Sequence, residues 1–159
     1  KQQNKTMKFL TLFLAAFLPA LAFATDAKGT AFLAEKAAEA DVHATGSGLL
    51  YKILESSASP AKSPLVSTPT LCHYRGTLIN GKEFDSSYKR GQPATFAPNQ
   101  VIKGWTEAMQ IMKEGDKWEL YIPSDLAYGA RGAGRDIPGN SALIFTLEML
   151  KVKGASKDL

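Results

Sequence analysis

The run Glu83-Phe84-Asp85-Ser86-Ser87 places one carboxylate directly after an aromatic ring, within residues 76–122, the stretch around which the chain is organised. Phe96 follows, then Val101-Ile102-Lys103-Gly104-Trp105, and later Ala127-Tyr128-Gly129. These residues are mostly apolar or aromatic, with a few polar groups among them. Such a mixture is typical of a concave, mostly apolar pocket in which a few hydrogen bonds orient the ligand. The sequence therefore predicts a binding pocket rather than a metal or nucleophile site.

Other motifs that carry chemistry are incomplete in this sequence. His43 and His73 are far apart, and Cys72 and His73 would point to opposite faces of a strand, so we expect no metal site. No serine lies in a G-x-S-x-G context, which excludes a common hydrolase signature. The glycine-rich residues 129–135 lack both the G-x-x-x-x-G-K-[ST] pattern and the strand–loop–helix context of a phosphate-binding loop. We interpret them as a flexible loop at the pocket rim.

The length of 159 residues allows one domain with a proper core and a short appendage. The net charge is +4, but Lys1, Lys5 and Lys8 lie in the first 24 residues, which contain no aspartate or glutamate. The rest of the chain is nearly neutral. Its charge therefore gives no reason to expect nucleic acid or an anionic membrane as a partner.

The first 24 residues have the order of a secretory signal. A basic start ends at Lys8, an apolar run covers residues 9–17, and Ala22-Phe23-Ala24 fits the small-x-small cleavage rule. The alternative is a membrane anchor, but residues 9–24 are short for a span of about twenty residues and Pro19 interrupts them. We expect export, with a mature start near Thr25 and no membrane attachment after cleavage. A bacterial periplasm or outer surface fits, and a eukaryotic secretory lumen is the alternative.

Cys72 is the only cysteine, so an internal disulfide is impossible and packing alone must hold the fold. Because Cys72 lies in a strand-like run, we expect a buried, small apolar side chain rather than a reactive thiol.

The pattern of apolar residues and turn signals predicts an α+β domain: an antiparallel sheet and one covering helix, preceded by an N-terminal helix. Helices are expected at 27–40 and 102–112, and strands at 49–54, 70–77, 83–86, 95–96, 117–122 and 142–152. Residues 56–69 and 126–140 are predicted loops. The short first helix would be marginal alone, so it should dock on the main domain or on a second copy. We divide the chain into a leader and signal peptide (1–24), an N-terminal helix and linker (25–48), the main domain (49–154) and a C-terminal tail (155–159).

The aromatic residues have a plainer interpretation as core, because aromatic side chains dominate core burial. We accept that interpretation for Trp118 and Tyr121, but the order and the neighbours of the other aromatic residues argue otherwise. The sequence resembles the FKBP-type peptidyl-prolyl isomerases over residues 48–153. The matching motifs, in order, are Tyr74-Arg75-Gly76-Thr77-Leu78, Gly81-Lys82-Glu83-Phe84-Asp85-Ser86-Ser87, Arg90-Gly91, Val101-Ile102-Lys103-Gly104-Trp105, Gly115-Asp116, Ile122-Pro123 and Leu126-Ala127-Tyr128-Gly129.

Residues 31–35 and 47–49 are similar to the junction between helix and domain in the macrophage infectivity potentiator subgroup. Relatives in that subgroup carry a longer helical dimerisation region, of which only the end is present here. The resemblance implies at most a weak homodimer through the N-terminal helix.

The resemblance implies an antiparallel half-barrel sheet wrapped on one short helix, with an apolar pocket between them. Trp105 would form the pocket floor, Asp85 and the Tyr128 hydroxyl would supply polarity, and the Ile102 N–H would bind a substrate carbonyl. Asp85, Tyr128, Phe84 and Trp105 would carry catalysis. The remaining substrate-binding residues implied by the resemblance are Tyr74, Phe96, Val101, Ile137 and Phe145.

The implied activity is rotation about X–Pro bonds, which assists the folding of exported proteins and requires neither metal nor cofactor. The implied partners are proline-containing polypeptides, with rapamycin-type macrolides as inhibitors. The loop over the pocket departs from the family pattern at Ala133, at Asp136 and at Pro138-Gly139. These departures keep an alternative open: a non-catalytic proline-peptide-binding or chaperone module on the same fold.

Overall fold

An antiparallel sheet of seven strands forms the centre of the protein. The computed structural model describes residues 25–58 and 61–158; the predicted leader, signal peptide and cleavage site lie outside them. The helices are α1 (Ala27–Ala37) and α2 (Lys103–Ile111). The strands are β1 (Val42–Ala44), β2 (Leu50–Glu55), β3 (Lys62–Pro64), β4 (Thr70–Leu78), β5 (Glu83–Ser86), β6 (Ala94–Phe96), β7 (Lys117–Ile122), β8 (Leu143–Val152) and β9 (Ser156–Asp158). The strand order in the seven-stranded sheet is β1-β2-β7-β8-β4-β5, and β6 also pairs with β4.

Helix α2 covers one face of the sheet and encloses the main core. Its apolar stripe of Trp105, Ala108 and Met109 is buried, and Met112 at its C-terminal cap is buried as well. Gly104 allows the close approach, because a Cβ there would lie 2.7 Å from Cγ2 of Ile122 on β7. Such a separation is shorter than any ordinary van der Waals contact, so only glycine fits at this helix position. The predicted α+β class and the helix on the sheet are confirmed.

Helix α1 packs on the opposite face of the same sheet. Successive β7 residues point to opposite faces, so Tyr121 faces α1 while its neighbours face α2. Leu33 is 1% exposed against it, and the ring of Phe32 meets Tyr121 edge-on at 5.9 Å. The Asp26 side chain caps the helix by accepting a hydrogen bond from the N–H of Gly29 at 2.6 Å. Of the two docking partners considered for this helix, the structure shows its own main domain.

The dipeptide Asn80-Gly81, a strong hairpin signal, lies in the turn between β4 and β5. Gly81 has φ +86°, a conformation that favours glycine, and the N–H of Leu78 donates to the carbonyl of Lys82 across the turn.

Two segments predicted to be irregular contain strands. Within the predicted surface loop 56–69, Lys62–Pro64 form β3, and within the predicted tail 155–159, Ser156–Asp158 form its partner β9. The reason lies in Ser63, whose fully buried hydroxyl donates to the carbonyls of Gln110 and Met112 at the end of α2. Helix ends leave carbonyls without partners, and a serine in an adjacent segment can satisfy them. The serine and proline content of residues 56–69 predicted a surface loop and gave no indication that Ser63 is buried.

The N-terminal boundary also differs from the prediction. Helix α1 ends at Ala37 instead of residue 40, because the chain turns there and continues into the short strand β1, which pairs with β2. Cys72 is fully buried as predicted, and burial raises the pKa of its thiol to about 12. Among the described residues, no helix is long and apolar enough to cross a membrane.

Candidate functional site

A cavity of about 410 Å³ opens between α2 and the sheet, and we call it the pocket. It contains eight of the ten residues that the sequence predicted to bind substrate, together with Gln100, which the sequence analysis missed. Its lining residues are Tyr74, Asp85, Phe96, Gln100, Val101, Ile102, Trp105, Tyr128 and Phe145. Two predicted binding residues, Phe84 and Ile137, do not line it. Phe84 lies behind Phe145, and Ile137 is 7% exposed within the core.

Trp105 forms a floor held by three aromatic rings. Its ring meets those of Tyr74, Phe96 and Phe145 edge-on, with centroid distances of 5.3, 5.7 and 5.2 Å. Edge-to-face pairs at this distance are favourable and fix the orientation of each ring. The first turn of α2 supplies Trp105, and three strands supply the other rings. The pocket is therefore rigid and apolar at its base.

A bulge in β5 places Asp85 at the pocket and the adjacent Phe84 against Phe145, a ring of the pocket wall. Glu83 pairs with Thr77 and Asp85 pairs with Gly76, so Phe84 has no partner in the register. A bulge re-aims the neighbouring side chains, which would otherwise alternate between the two faces. Phe84 consequently packs on Phe145 with a centroid distance of 5.5 Å, while Asp85 reaches Tyr74.

Asp85 belongs to a hydrogen-bonded triangle with Tyr74 and Arg90. The Tyr74 hydroxyl donates to Oδ2 of Asp85 at 2.6 Å and accepts from Nη2 of Arg90 at 2.7 Å, while Nη1 of Arg90 donates to Oδ1 of Asp85. In the sequence, Arg90 belongs to a family motif but has no predicted role. Its position five residues after Asp85, in the turn after β5, is the sequence feature that could have indicated an ion pair.

The triangle keeps Asp85 ionised. Burial alone would raise the pKa of Asp85, but the hydrogen bonds from Tyr74 and Arg90 outweigh burial and lower that pKa. Burial raises the pKa of the Tyr74 hydroxyl, and its hydrogen bond to Asp85 raises that pKa further. With both oxygens engaged, Asp85 orients its neighbours and is poorly placed to accept a proton.

Three donors remain on the walls. The Tyr128 hydroxyl has no hydrogen-bond partner among the described residues, and burial followed by the charge of Asp85 raises its pKa. Ile102 caps the N-terminus of α2, and its N–H donates to no group in the described part of the chain. Gln100 accepts from the N–H of Ala97 at 3.0 Å through Oε1, which leaves its amide NH₂ as the third donor.

The loop over the pocket is folded back on itself. Residues 126–140, which we call the rim loop, contain a bridge between Ala133 and Ile137. Gly132 has φ +64°, and a Cβ there would lie 2.1 Å from the carbonyl oxygen of Ile137. Asp136, one of the departures from the family pattern, pairs with Lys82 of the β4–β5 turn at 2.8 Å. The Asp136 carboxylate therefore lies on the surface and does not line the pocket.

An open antiparallel sheet on a short helix, with a tryptophan-floored pocket between them, is the architecture that the sequence resemblance implied. Residues 61–150 match the family described as FKBP-type peptidyl-prolyl cis-trans isomerase. Residues 2–53 match the domain amino terminal to FKBP-type peptidyl-prolyl isomerase. The chain belongs to the FKBP-type peptidyl-prolyl cis-trans isomerase family, as its sequence motifs predicted.

The chain is similar to several curated relatives. It is 46% identical to a macrophage infectivity potentiator of Trypanosoma cruzi, over 81% of this chain and 65% of the relative. It is 46% identical to an outer membrane protein MIP of Legionella longbeachae, over 82% of this chain and 55% of that protein. It is 48% identical to a peptidyl-prolyl cis-trans isomerase Mip of Coxiella burnetii, over 79% and 54%. The chain thus spans about half to two thirds of the length of these relatives.

Solved structures agree with this assignment. FkpA from Escherichia coli superposes with a TM-score of 0.76 at 43% identity, covering 81% of this chain and 59% of that one. AtFKBP13 superposes with a TM-score of 0.63 at 37% identity, covering 70% of this chain and 98% of that one. These likenesses support the fold of the pocket-bearing domain.

We predict that Gly76→Ala destabilises the protein because Gly76 lies against the pocket ring of Phe145 and the ring of Phe84 that supports it. A Cβ at Gly76 would lie 2.6 Å from atoms of both Phe84 and Phe145. Overpacking of this kind typically costs about 1–3 kcal/mol, which a shift of the urea midpoint would report. Gly46→Ala is the matched control, since nothing lies within 4 Å of a Cβ there. Equal midpoints for the two variants would show that the rings can move aside.

Proposed function

We propose that this chain is a peptidyl-prolyl cis–trans isomerase that accelerates rotation about X–Pro bonds and assists the folding of exported proteins. The carrying observation is the apolar pocket of about 410 Å³, with a tryptophan floor and free hydrogen-bond donors on its walls. Proline-containing polypeptides are the proposed substrates. Membership of the isomerase family and the similarity to relatives named as peptidyl-prolyl isomerases support this proposal.

The reaction suits a site of this kind. Rotation about the X–Pro amide must overcome partial double-bond character, a barrier of about 18–20 kcal/mol. Without catalysis, exchange takes about tens to hundreds of seconds. No covalent bond forms or breaks, so the reaction needs no nucleophile. An enzyme accelerates it by binding the twisted amide more tightly than either planar isomer.

An apolar pocket can make that distinction. A planar amide is strongly dipolar because of resonance, and it loses favourable hydration when it enters an apolar site. The twisted amide has a smaller dipole and loses less. We assign the desolvating role to the ring of Trp105 and to the wall ring of Phe145, which Phe84 supports from behind.

The polar groups would position the substrate. The Tyr128 hydroxyl and the Ile102 N–H are free donors that can hold the carbonyls flanking the proline. Asp85 would act indirectly, by fixing the orientation of Tyr74 on the wall. None of these groups has to gain or lose a proton.

The second candidate is a proline-binding or chaperone module without turnover. The sequence of the rim loop supports this second candidate, because Ala133 and Asp136 replace residues that are usual in the family at the pocket edge. Asp136 instead pairs with Lys82. A protease-coupled assay with a proline peptide separates the candidates. Catalysed isomerisation supports the enzyme, whereas peptide binding without rate enhancement supports the module.

We predict that Tyr128→Phe lowers kcat/KM moderately and that Asp85→Val lowers it more. The first change removes one hydrogen bond, which typically contributes about 0.5–1.5 kcal/mol. The second also releases Tyr74 and Arg90 from the triangle. Both values come from the protease-coupled assay. Complete inactivation by Tyr128→Phe would contradict a positioning role and indicate proton transfer.

We also predict a flat activity profile between about pH 6 and 8, since the pKa of Asp85 is lowered and those of Tyr74 and Tyr128 are raised. A bell-shaped activity profile near neutrality would contradict the mechanism.

The stability of the fold should also depend on Asp85 at acid pH. Because folding lowers the pKa of Asp85, its hydrogen bonds stabilise the fold above the unfolded pKa of about 3.9. That contribution is lost as the pH falls through the folded value. Acid unfolding measured by circular dichroism should therefore be less steep in Asp85→Asn.

Rapamycin-type macrolides are proposed inhibitors and offer a probe of the floor. Trp105→Leu keeps an apolar side chain but removes the flat ring, so macrolide affinity should fall by at least about tenfold in calorimetric titration. The stability loss should stay below the roughly 3–5 kcal/mol expected for a buried Trp→Ala change. Unchanged affinity would place the ring outside the ligand site.

Export is the remaining part of the proposal. The signal-like order of the first 24 residues supports it, and so does a relative named as an outer membrane protein. Periplasm or outer surface is the preferred location, with a eukaryotic secretory lumen as the alternative. An intact residue 1–24 segment in the native protein, detected by mass spectrometry, would refute cleavage. Leu33 of α1 packs on its own domain, so a weak homodimer through α1 would either displace that contact or use the opposite face of the helix.

A further inference from the structure

The residues around the start of α1 contact both ends of the rim loop. Among the described residues, the only hydrogen-bond partner of the buried Ser124 hydroxyl is Thr25. The two hydroxyls share a hydrogen bond of 3.2 Å, and the N–H of Ser124 donates to Oγ1 of Thr25 at 3.0 Å. Ser124 lies two residues before the rim loop and begins a 3₁₀ turn, in which its carbonyl accepts from the N–H of Ala127. Tyr128 follows directly.

The other end of the rim loop is held by the neighbouring residue. The N–H of Asp26 donates to the carbonyl of Asn140 at 2.8 Å, and the N–H of Asn140 donates to the carbonyl of Gly129 at 2.8 Å. Asn140 is the one non-glycine residue with positive φ, +61°, in the described part of the chain. Such a conformation is costly outside glycine and persists where surrounding contacts hold it.

Close packing reinforces these hydrogen bonds. A Cβ at Gly29 would lie 2.7 Å from Cγ2 of Thr25 and 3.0 Å from Cβ of Ala142, which follows the rim loop. Thr25, Asp26 and Gly29 therefore form one unit, which we call the N-terminal anchor. Tyr128 is bracketed by the two connections, through Ser124 and Ala127 on one side and through Asn140 and Gly129 on the other.

We propose that the N-terminal anchor is a positioning element of the isomerase site: it holds the rim loop so that the Tyr128 hydroxyl meets the substrate. No anchor residue lines the pocket, so the effect acts through Tyr128. This inference rests on the proposed function. It assigns a role in turnover to residues that precede the pocket-bearing domain, and it makes docking of α1 part of the active state.

The test compares Thr25→Val with Thr25→Ser. Valine has the shape of threonine but leaves the buried N–H and hydroxyl of Ser124 without their partner, whereas serine retains the hydroxyl. Thr25→Val should lower kcat/KM by about three- to tenfold, the range expected for the loss of a hydrogen bond, and Thr25→Ser should restore most of it. In a Tyr128→Phe background, the same Thr25→Val change should cost less than about twofold.

Thr68→Val is the matched control. Thr68 is buried, and its hydroxyl, like that of Thr25, makes a hydrogen bond: it donates to the carbonyl of Ala155, away from the pocket. Hydrogen exchange gives a readout that does not depend on activity. Thr25→Val should speed exchange of the Asn140 and Ala127 amides and leave the Lys153 amide unchanged, while Thr68→Val should do the reverse.

The outcomes are distinct. A parent protein without isomerase activity would refute the proposed function, yet the exchange pattern would still decide whether the anchor holds the rim loop. Unchanged rim-loop exchange in Thr25→Val would overturn the anchor. So would an equal loss of kcat/KM in Thr25→Val and Thr68→Val, or a loss that persists undiminished in the Tyr128→Phe background.

Discussion

The contact of α2 with β7 at Gly104 is the constraint on which the site depends. Gly104 lets the helix approach so closely that a Cβ would overlap the side chain of Ile122. Trp105 is the next residue, so the depth of the helix sets the height of the pocket floor. Ile102, the N-cap of the same helix, lines the pocket above this floor. The core packing and the pocket therefore share one helical turn, and a substitution that loosens the packing would also move the pocket floor.

The charged groups beside the pocket floor are satisfied by one another. A carboxylate beside an aromatic pocket would ordinarily attract water and oppose desolvation. The triangle with Tyr74 and Arg90 supplies both oxygens of Asp85 with protein donors and holds its pKa low. The charge is thereby satisfied at the wall. In the described part of the chain, the wall donors of the pocket that have no partner lie on Tyr128, Ile102 and Gln100, and all three are uncharged.

Much of this arrangement could be predicted from the sequence, because it depends on local periodicity and turn chemistry. The Asn80-Gly81 turn, the apolar stripe of α2 and the alternation of β7 are properties of short segments. What the sequence did not disclose has two causes. Ser63 in β3 is buried against the end of α2, whose carbonyls accept from its hydroxyl although they lie far along the chain. Arg90 is only five residues from Asp85, but their contact depends on the bulge at Phe84, which turns Asp85 toward Arg90 and which no periodic pattern predicts.

The position of helix α1 could not be predicted from its own sequence either. A helix this short is marginal alone, but Phe32 and Leu33 pack with Tyr121 of β7 and attach the helix to the domain. A strand with both faces covered buries residues of both parities, so β7 meets α2 through Ile122 at Gly104 and α1 through Tyr121. The two helices therefore pack on opposite faces of the same strand. The apolar face of α1 that a second copy would need is occupied by Leu33 and Phe32 against their own sheet, so any self-association through this helix must compete with, or avoid, an intramolecular contact already made.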